Sequence, residues 1–269
     1  MQILHRPFLP FFKAEEVYFM VQIILSGANG KMGHVIERCV SEREGCRITA
    51  GFDLNTDVYG DFPIYQNPED YTGEADVIID FSNPAFLHPL MEYAKKRKLP
   101  VVVATTGFSP EQIAYIKECA EEIPVFFSFN MSLGVNLLVT LAKKAAEVLG
   151  GQFDIEIIEK HHNQKIDAPS GTALMIADAV NETLGHTQKY MYDRHSQRKK
   201  RDKDEIGIHA VRGGTIVGEH EVIFAGHDEI ISLKHQAMSK EIFAVGSVNA
   251  ALFLCGKEHG LYDMGKMVD

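Results

Sequence analysis

Short, nearly continuous apolar runs (VQIILS, ADVIID, PVVVA and PVFF) recur through the first half of the chain, with helical patterns between them. Strands buried on both faces read this way, so the pattern predicts a parallel sheet with helices packed on either side. The helices are marked by Val35, Ile36 and Val40, by Leu87 to Lys96, and by Pro110 to Glu121; another, carrying Leu137, Leu138, Leu141 and Ala145, leads away from this unit. From Phe153 the pattern changes. FDIEIIE alternates apolar and polar residues, and IGIHAVRGGTIVGEHEVIFAG and EIISLKHQA read as strands parted by glycine turns. They predict a second, mixed sheet rich in antiparallel pairs. The last helical pattern, EIFAVGSVNAALFLCG, is apolar on more than one side and is expected to pack deeply, returning to the first unit. The expected fold class is α/β, a Rossmann-like parallel-sheet domain plus an α+β domain with a mixed sheet.

The first strand runs into GANGKMG, where Gly27, Gly30 and Gly33 follow a G-x-x-G-x-x-G spacing before a helix. Small residues there let backbone N–H groups approach a pyrophosphate and let helix pack on strand. Glycines also serve ordinary tight βα turns. The second strand, CRITAGF, ends at Asp53, about 20 residues past the glycines, where a dinucleotide fold places its ribose-binding acid. Asp53 would accept from ribose hydroxyls and repel a 2′-phosphate, and Leu54 supplies no cation, so NADH is expected to be favoured over NADPH. Lys31 either pairs with such a phosphate or is simply solvated. Ser82, Thr105 and Thr106 leave the third and fourth strands at the carboxyl end of the sheet, as lining of a nicotinamide pocket or as turn caps.

The densest chemistry lies in EKHHNQKIDAPSGTA, from Glu159 to Ala173. A strand ends, polar groups crowd a loop, and a helix begins. His161 and Lys165 supply proton-handling groups that suit an acid-assisted reduction. On an extended segment His161 and His162 point to opposite sides, so either the loop bends or their jobs differ. Gly171 and Thr172 open the helix with free N–H groups, a seat for a carboxylate. Asp167 and Ser170 are expected to serve the turn and the N-cap. The adjacent histidines fit neither a helical i, i+4 metal site nor a usual zinc spacing, so no metal is expected.

A formal net charge of -10 over 269 residues argues against general attraction to nucleic acid or to an anionic membrane surface. Any anionic substrate must then be held by a local cationic site such as Lys165. Cys39, Cys46, Cys119 and Cys255 form no C-x-x-C pair and read as buried free thiols in a reducing compartment. PFLPFF near the start is short, proline-broken and followed by no small-residue cleavage site, unlike a signal peptide, and Lys143 and Lys144 interrupt the best candidate for a membrane span, so a cytoplasmic protein is expected. RHSQRKKRDKDE, from Arg194 to Glu205, mixes both charge signs without periodicity and reads as a solvated loop rather than a basic lid.

EKHHNQKIDAPSGTA closely resembles the signature of the 4-hydroxy-tetrahydrodipicolinate reductase family, and GANGKMG, VVATTGF, SFNMSLGVN and VGEHEVIFAG are similar to its other blocks, in order. The resemblance covers Met20 to the C-terminus and leaves residues 1–19 as an extension, with Met20 as an alternative start. It implies a dinucleotide-binding domain of residues 20–130 with 240–269, a substrate domain of residues 131–239, and a homotetramer built through the second sheet. It further implies that NADH or NADPH delivers hydride to C4 of a small cyclic dicarboxylate, with loss of water. His161 would be proton donor and acceptor, Lys165 a proton donor that also attracts substrate, and His162, Gly171 and Thr172 substrate contacts. Gly27, Ala28, Asn29, Gly30, Lys31, Met32, Asp53, Ala104, Thr105, Thr106, Ser128, Phe129, Asn130 and Met131 would contact the cofactor. A non-catalytic dinucleotide sensor, or a dehydrogenase for an amino or hydroxy acid, would share the first domain without needing this second-domain loop.

Overall fold

The computed structural model describes residues 20–268, so the expected N-terminal extension, 1–19, lies outside the described residues. In chain order the first half runs β1 (Val21–Ser26), α1 (Lys31–Ser41), β2 (Cys46–Phe52), β3 (Ile64–Tyr65), β4 (Val77–Asp80), α2 (Leu87–Arg97), β5 (Val101–Val103), α3 (Pro110–Cys119) and β6 (Pro124–Phe127). The second half runs α4 (Leu133–Leu149), β7 (Asp154–His161), α5 (Gly171–Thr183), β8 (Lys189–Met191), β9 (Glu205–Arg212), β10 (Gly218–Ala225), β11 (Ile230–Ala237), α6 (Glu241–Leu254), β12 (Gly260–Tyr262) and α7 (Met264–Val268).

The first sheet is seven-stranded and wholly parallel, in the order β12-β6-β5-β4-β1-β2-β3. Its apolar strands are covered on both faces, as their unbroken hydrophobicity requires. Ile23, Leu25, Ile79 and Val102 pack under α1 and α6, while Ile24, Ile78, Val101 and Val103 pack under α2 and α3. The winding reverses between β1 and β4, so the crevice at their carboxyl ends is where such a sheet binds ligands. Two chain-terminal elements complete this layer: α6 packs on α1, β4, β5 and β6, and β12 pairs with β6. Gly246 lets α6 approach, because an added Cβ would strike the carbonyl of Met131.

The second sheet has the order β11-β10-β7-β9-β8. It is less antiparallel than the turns suggest: β10 pairs antiparallel with β11 and β7, but β9 runs parallel to both β7 and β8. The charged segment before β9 is the reason. It carries the chain back to the start of β7 rather than turning it in a hairpin. Alternation on β7 then divides the residues by face, with Ile155 and Ile157 meeting α4 and α5 in a third core.

The segment 194–205 differs from the expected free loop. Arg194 donates to Glu156 at 2.8 Å and to Glu205 at 2.6 Å, and Arg201 donates to Glu156 at 3.0 Å and Asp154 at 2.8 Å. Two of its arginines therefore tie it to β7 and β9, and neither faces a ligand cleft.

Candidate active site

Gly27 leaves β1 with φ 80°, and a Cβ there would strike the Phe81 carbonyl; a Cβ on Gly33 would land on the carbonyl oxygen of Ala28. Both glycines are fixed by close backbone approach, which brings α1 onto the end of β1. The N-cap of α1 is Gly30, no side chain caps it, and no acid lies in its first turn. The leading N–H groups of α1 are thus left for an anion. Gly27 and Gly30 line a cleft of about 560 Å³ with Asp53, Leu54 and Ser82. Asp53 accepts from the Asn29 N–H at 2.9 Å and the Asn55 N–H at 3.1 Å, so the acid also shapes the loop. Lys31 begins α1 exposed and outside the cleft lining, Met32 packs against the core, and Ala28 is fully buried within it.

A larger cleft of about 940 Å³ lies between the two sheets. One wall is the carboxyl end of the first sheet, with Thr105, Thr106, Ser128 and Phe129. The other is the β7–α5 loop, with His161, His162, Lys165, Asp167, Gly171 and Thr172. The two adjacent histidines reach one cleft because β7 ends between them; His161 is its last residue. Ala104 and Met131 are buried in the core beside this cleft rather than lining it. Asn130 joins the walls, donating from Nδ2 to Thr172 Oγ1 at 3.0 Å.

His161 is oriented from behind. Its Nδ1 donates to Glu159 Oε2 at 2.6 Å, and Glu159, fully buried, also accepts from Arg212 Nη1 and Nη2 at 2.7 Å each and from the Ser170 N–H at 3.0 Å. Burial alone would raise the Glu159 carboxyl, but Arg212, His161 and Ser170 together hold it below the usual range. Burial lowers the His161 imidazole, opposed by Glu159. With Nδ1–H committed to the carboxylate, the unprotonated Nε2 faces the cleft, where Gly218 leaves it room: a Cβ there would sit 3.1 Å away. Beneath it, Ser170 caps α5 by accepting from the Ala173 N–H at 3.2 Å and contacts His220 Nε2 at 3.0 Å.

Lys165 Nζ lies 2.8 Å from Asp167 Oδ1. Asp167 is therefore more than the turn residue expected from sequence. The Lys165 ammonium, with the Gly171 N–H, holds its carboxyl below the usual range. A carboxylate already sits at the cation and helix start expected to receive a substrate's carboxylate.

Glu159, Arg212 and His220 were not singled out by sequence. The available signal was parity: Ile155, Ile157, Glu159 and His161 share the inward face of β7, so Glu159 is an acid in a core position. Arg212 is 53 residues away and is brought there by the parallel register that sets His161 beside it. Among the described residues, no group of three or more His, Cys, Asp or Glu is placed to hold a metal ion.

A parallel sheet with an uncapped glycine-bounded helix start, facing a second-sheet loop of acid–base groups, defines a two-domain NAD(P)H-dependent oxidoreductase. Residues 21–131 match the family described as dihydrodipicolinate reductase, N-terminus, and residues 134–268 match its C-terminus. A 4-hydroxy-tetrahydrodipicolinate reductase from Caldanaerobacter subterraneus subsp. tengcongensis is 52% identical over 93% of this chain and 98% of its own length. One from Clostridium tetani is 48% identical over 94% and 99%. A dipicolinate-bound dihydrodipicolinate reductase from a Paenisporosarcina species superposes with a TM-score of 0.76 at 25% identity, covering 91% of this chain and 97% of that one. The chain belongs to the dihydrodipicolinate reductase family.

Proposed function

We propose that this protein catalyses the NAD(P)H-dependent reduction of (2S,4S)-4-hydroxy-2,3,4,5-tetrahydrodipicolinate to tetrahydrodipicolinate, with loss of water, in lysine and diaminopimelate biosynthesis. The observation that carries this reading is the cleft between the sheets. It sets the Glu159-backed His161, Lys165 and the α5 N-terminus opposite Thr105 and Thr106, at the sheet end that receives a dinucleotide.

Gly27, Gly30 and the first turn of α1 would hold the pyrophosphate, with Asp53 toward the adenosine ribose; the bound cofactor supplies a hydride. This chain's own residues do the rest. The Gly171 and Thr172 N–H groups and Lys165 bind a substrate carboxylate in place of Asp167. The reaction takes up one proton with the hydride, and the hydroxyl leaves as water. Lys165 and His161 Nε2 are the cleft groups that hold and pass that proton, and Glu159 stabilises the imidazolium formed when His161 is the carrier.

The coupled assay tests this. With the product of pyruvate and aspartate-semialdehyde condensation supplied, the protein should oxidise NADH or NADPH, and without it neither. Absence of oxidation with both cofactors defeats the assignment. NADH is expected to bind more tightly than NADPH, because Asp53 faces the cleft and Leu54, 81% exposed, brings no cation.

The proposed domain division is residues 20–130 with 240–269 and residues 131–239, supported by β12 and α6 joining the first sheet. Four copies are proposed to assemble through the second sheet. The cytoplasm is the proposed compartment, in keeping with the free thiols of Cys46 and Cys119 and the soluble cofactor. Cys39 and Cys255 are only half-buried. No described helix is long and apolar enough to cross a membrane.

A further inference from the structure

Asp80 ends β4 beside β1, where the winding of the sheet reverses, and its side chain is buried. Its partners are all neutral. Oδ1 accepts from Ser26 Oγ at 2.7 Å, Ser82 Oγ at 2.6 Å and the Ser82 N–H at 3.3 Å; Oδ2 accepts from Thr105 Oγ1 at 2.7 Å. A buried carboxylate without a cation is costly, and packing alone does not call for one here. Burial pushes its pKa up, and these donors only partly offset the rise.

Four donors converge on its two oxygens, so in its carboxylate form Asp80 accepts from the hydroxyls of Ser26, Ser82 and Thr105 at once. A hydroxyl has a single hydrogen. Ser82 and Thr105, having turned theirs inward, offer only lone pairs elsewhere. Ser82 lines the cleft of Gly27 and Asp53, whereas Thr105 lines the cleft of His161 and Lys165. One buried carboxylate thus sets the hydrogen-bond polarity of a side chain in each cleft.

We propose that Asp80 is a positioning residue for the dinucleotide, holding Ser82 and Thr105 as acceptors that receive hydrogen bonds from donor groups of the cofactor. The donors are a sugar hydroxyl at Ser82 and the nicotinamide carboxamide NH₂ at Thr105. The assignment to Thr105 follows from its cleft, which is the one where hydride must arrive. This inference rests on the dinucleotide-dependent reading above.

The test is fluorescence titration with NADH and with the reduced 3-acetylpyridine analogue, which carries a methyl ketone in place of the carboxamide. Wild type should bind NADH about tenfold more tightly than the analogue, the size of one hydrogen bond to a buried acceptor. In Asp80→Asn the amide oxygen keeps the place that accepts from the Ser82 N–H, while the NH₂ takes the other place, donates to Thr105 Oγ1 and turns its hydrogen outward, so the NADH Kd should rise about tenfold while the analogue's changes little. Thr105→Val should likewise abolish the preference, and Thr105→Ser should keep it. A loss of stability alone would leave the ratio of the two Kd values intact. An unchanged ratio in folded Asp80→Asn overturns the role of Asp80, as does an unchanged ratio in Thr105→Val if the aspartate variant does not fold. Wild type that binds neither dinucleotide overturns the cofactor reading itself, and the proposal with it.

Discussion

Glu159 satisfies an arginine, an imidazole and a backbone amide with two oxygens, and no neutral isostere can do the same. Glu159→Gln leaves Arg212 partly buried without its countercharge and offers His161 an amide that can reverse its tautomer. By analogy with other carboxylate–histidine pairs, kcat should fall by about 100-fold or more, with dinucleotide affinity within twofold. Steady-state kinetics beside a cofactor titration decide it; kcat within threefold of wild type would free His161 from dependence on Glu159. His220, below the same network, bears on stability. Burial, reinforced by His161, holds its imidazole down to about 4. The unfolded chain, with an ordinary histidine near 6.5, takes up the proton first as pH falls. The stability His220 contributes is therefore complete above about 6.5 and declines by roughly 1.4 kcal/mol per pH unit until about 4. Urea midpoints between pH 8 and 5 should fall less steeply in His220→Gln than in wild type, and equal slopes would contradict this. His161, His162, Lys165, Gly171 and Thr172 were legible because their chemistry is local and unusual. Glu159 and Arg212 were not, because an acid in an inward position acquires meaning only when a strand 53 residues distant is known to lie beside it.

At the scale of elements, α1 can seat an anion only because it starts against the end of β1. Gly33 is the contact: its backbone is not left-handed, so the glycine is required by proximity alone. Gly33→Ala must push helix from strand and should destabilise the protein by about 2–3 kcal/mol, as overpacked buried sites do, while weakening NADH binding. Chemical denaturation and a cofactor titration would show both; an unchanged midpoint would mean that the turn yields without cost. Five of the seven strands of the first sheet, β1, β2, β4, β5 and β6, were legible, since doubly covered strands are apolar throughout and their glycine turns and caps are local signals; the edge strands β3 and β12, two and three residues long, are too short to leave a pattern. In the second sheet β7, β9, β10 and β11 were legible as strands, the three-residue β8 was not, and the pairings were not. Turn glycines suggested hairpins, whereas the return of the 194–205 segment, held by Arg194 and Arg201 on Glu156, makes β9 parallel to β7. Charge alternation without periodicity looks solvated in sequence, and ion pairs to another strand leave no periodic trace.

The molecule as a whole covers one face of its second sheet with α4 and α5 and, among the described residues, packs no helix on the other. Parity assigns Glu156, Ile158 and Lys160 of β7 and Glu219, Glu221 and Ile223 of β10 to that open face, with Ile230 at the β11 end. Charge and hydrocarbon are interleaved there. Lys160 pairs with Glu219 at 3.2 Å, and Ile223 lies beside Glu156 in the ladder register. A face that is its own complement suits the two-fold contacts from which closed homo-oligomers are built, and interleaved charges fix the register in which two copies meet. The proposed assembly through this sheet would leave the cleft, on the helix-covered side, open to substrate. One two-fold contact closes a dimer, and the homotetramer proposed from the family resemblance needs a second; on that proposal light scattering should report four copies of the 30.1 kDa chain for the wild type. Ile223→Asp, which buries a new charge at the centre of the contact while leaving the helix-side core untouched, should reduce the mass to that of a smaller species with NADH affinity within twofold. A wild-type monomer, or an Ile223→Asp protein of unchanged mass, would move the assembly surface away from this sheet.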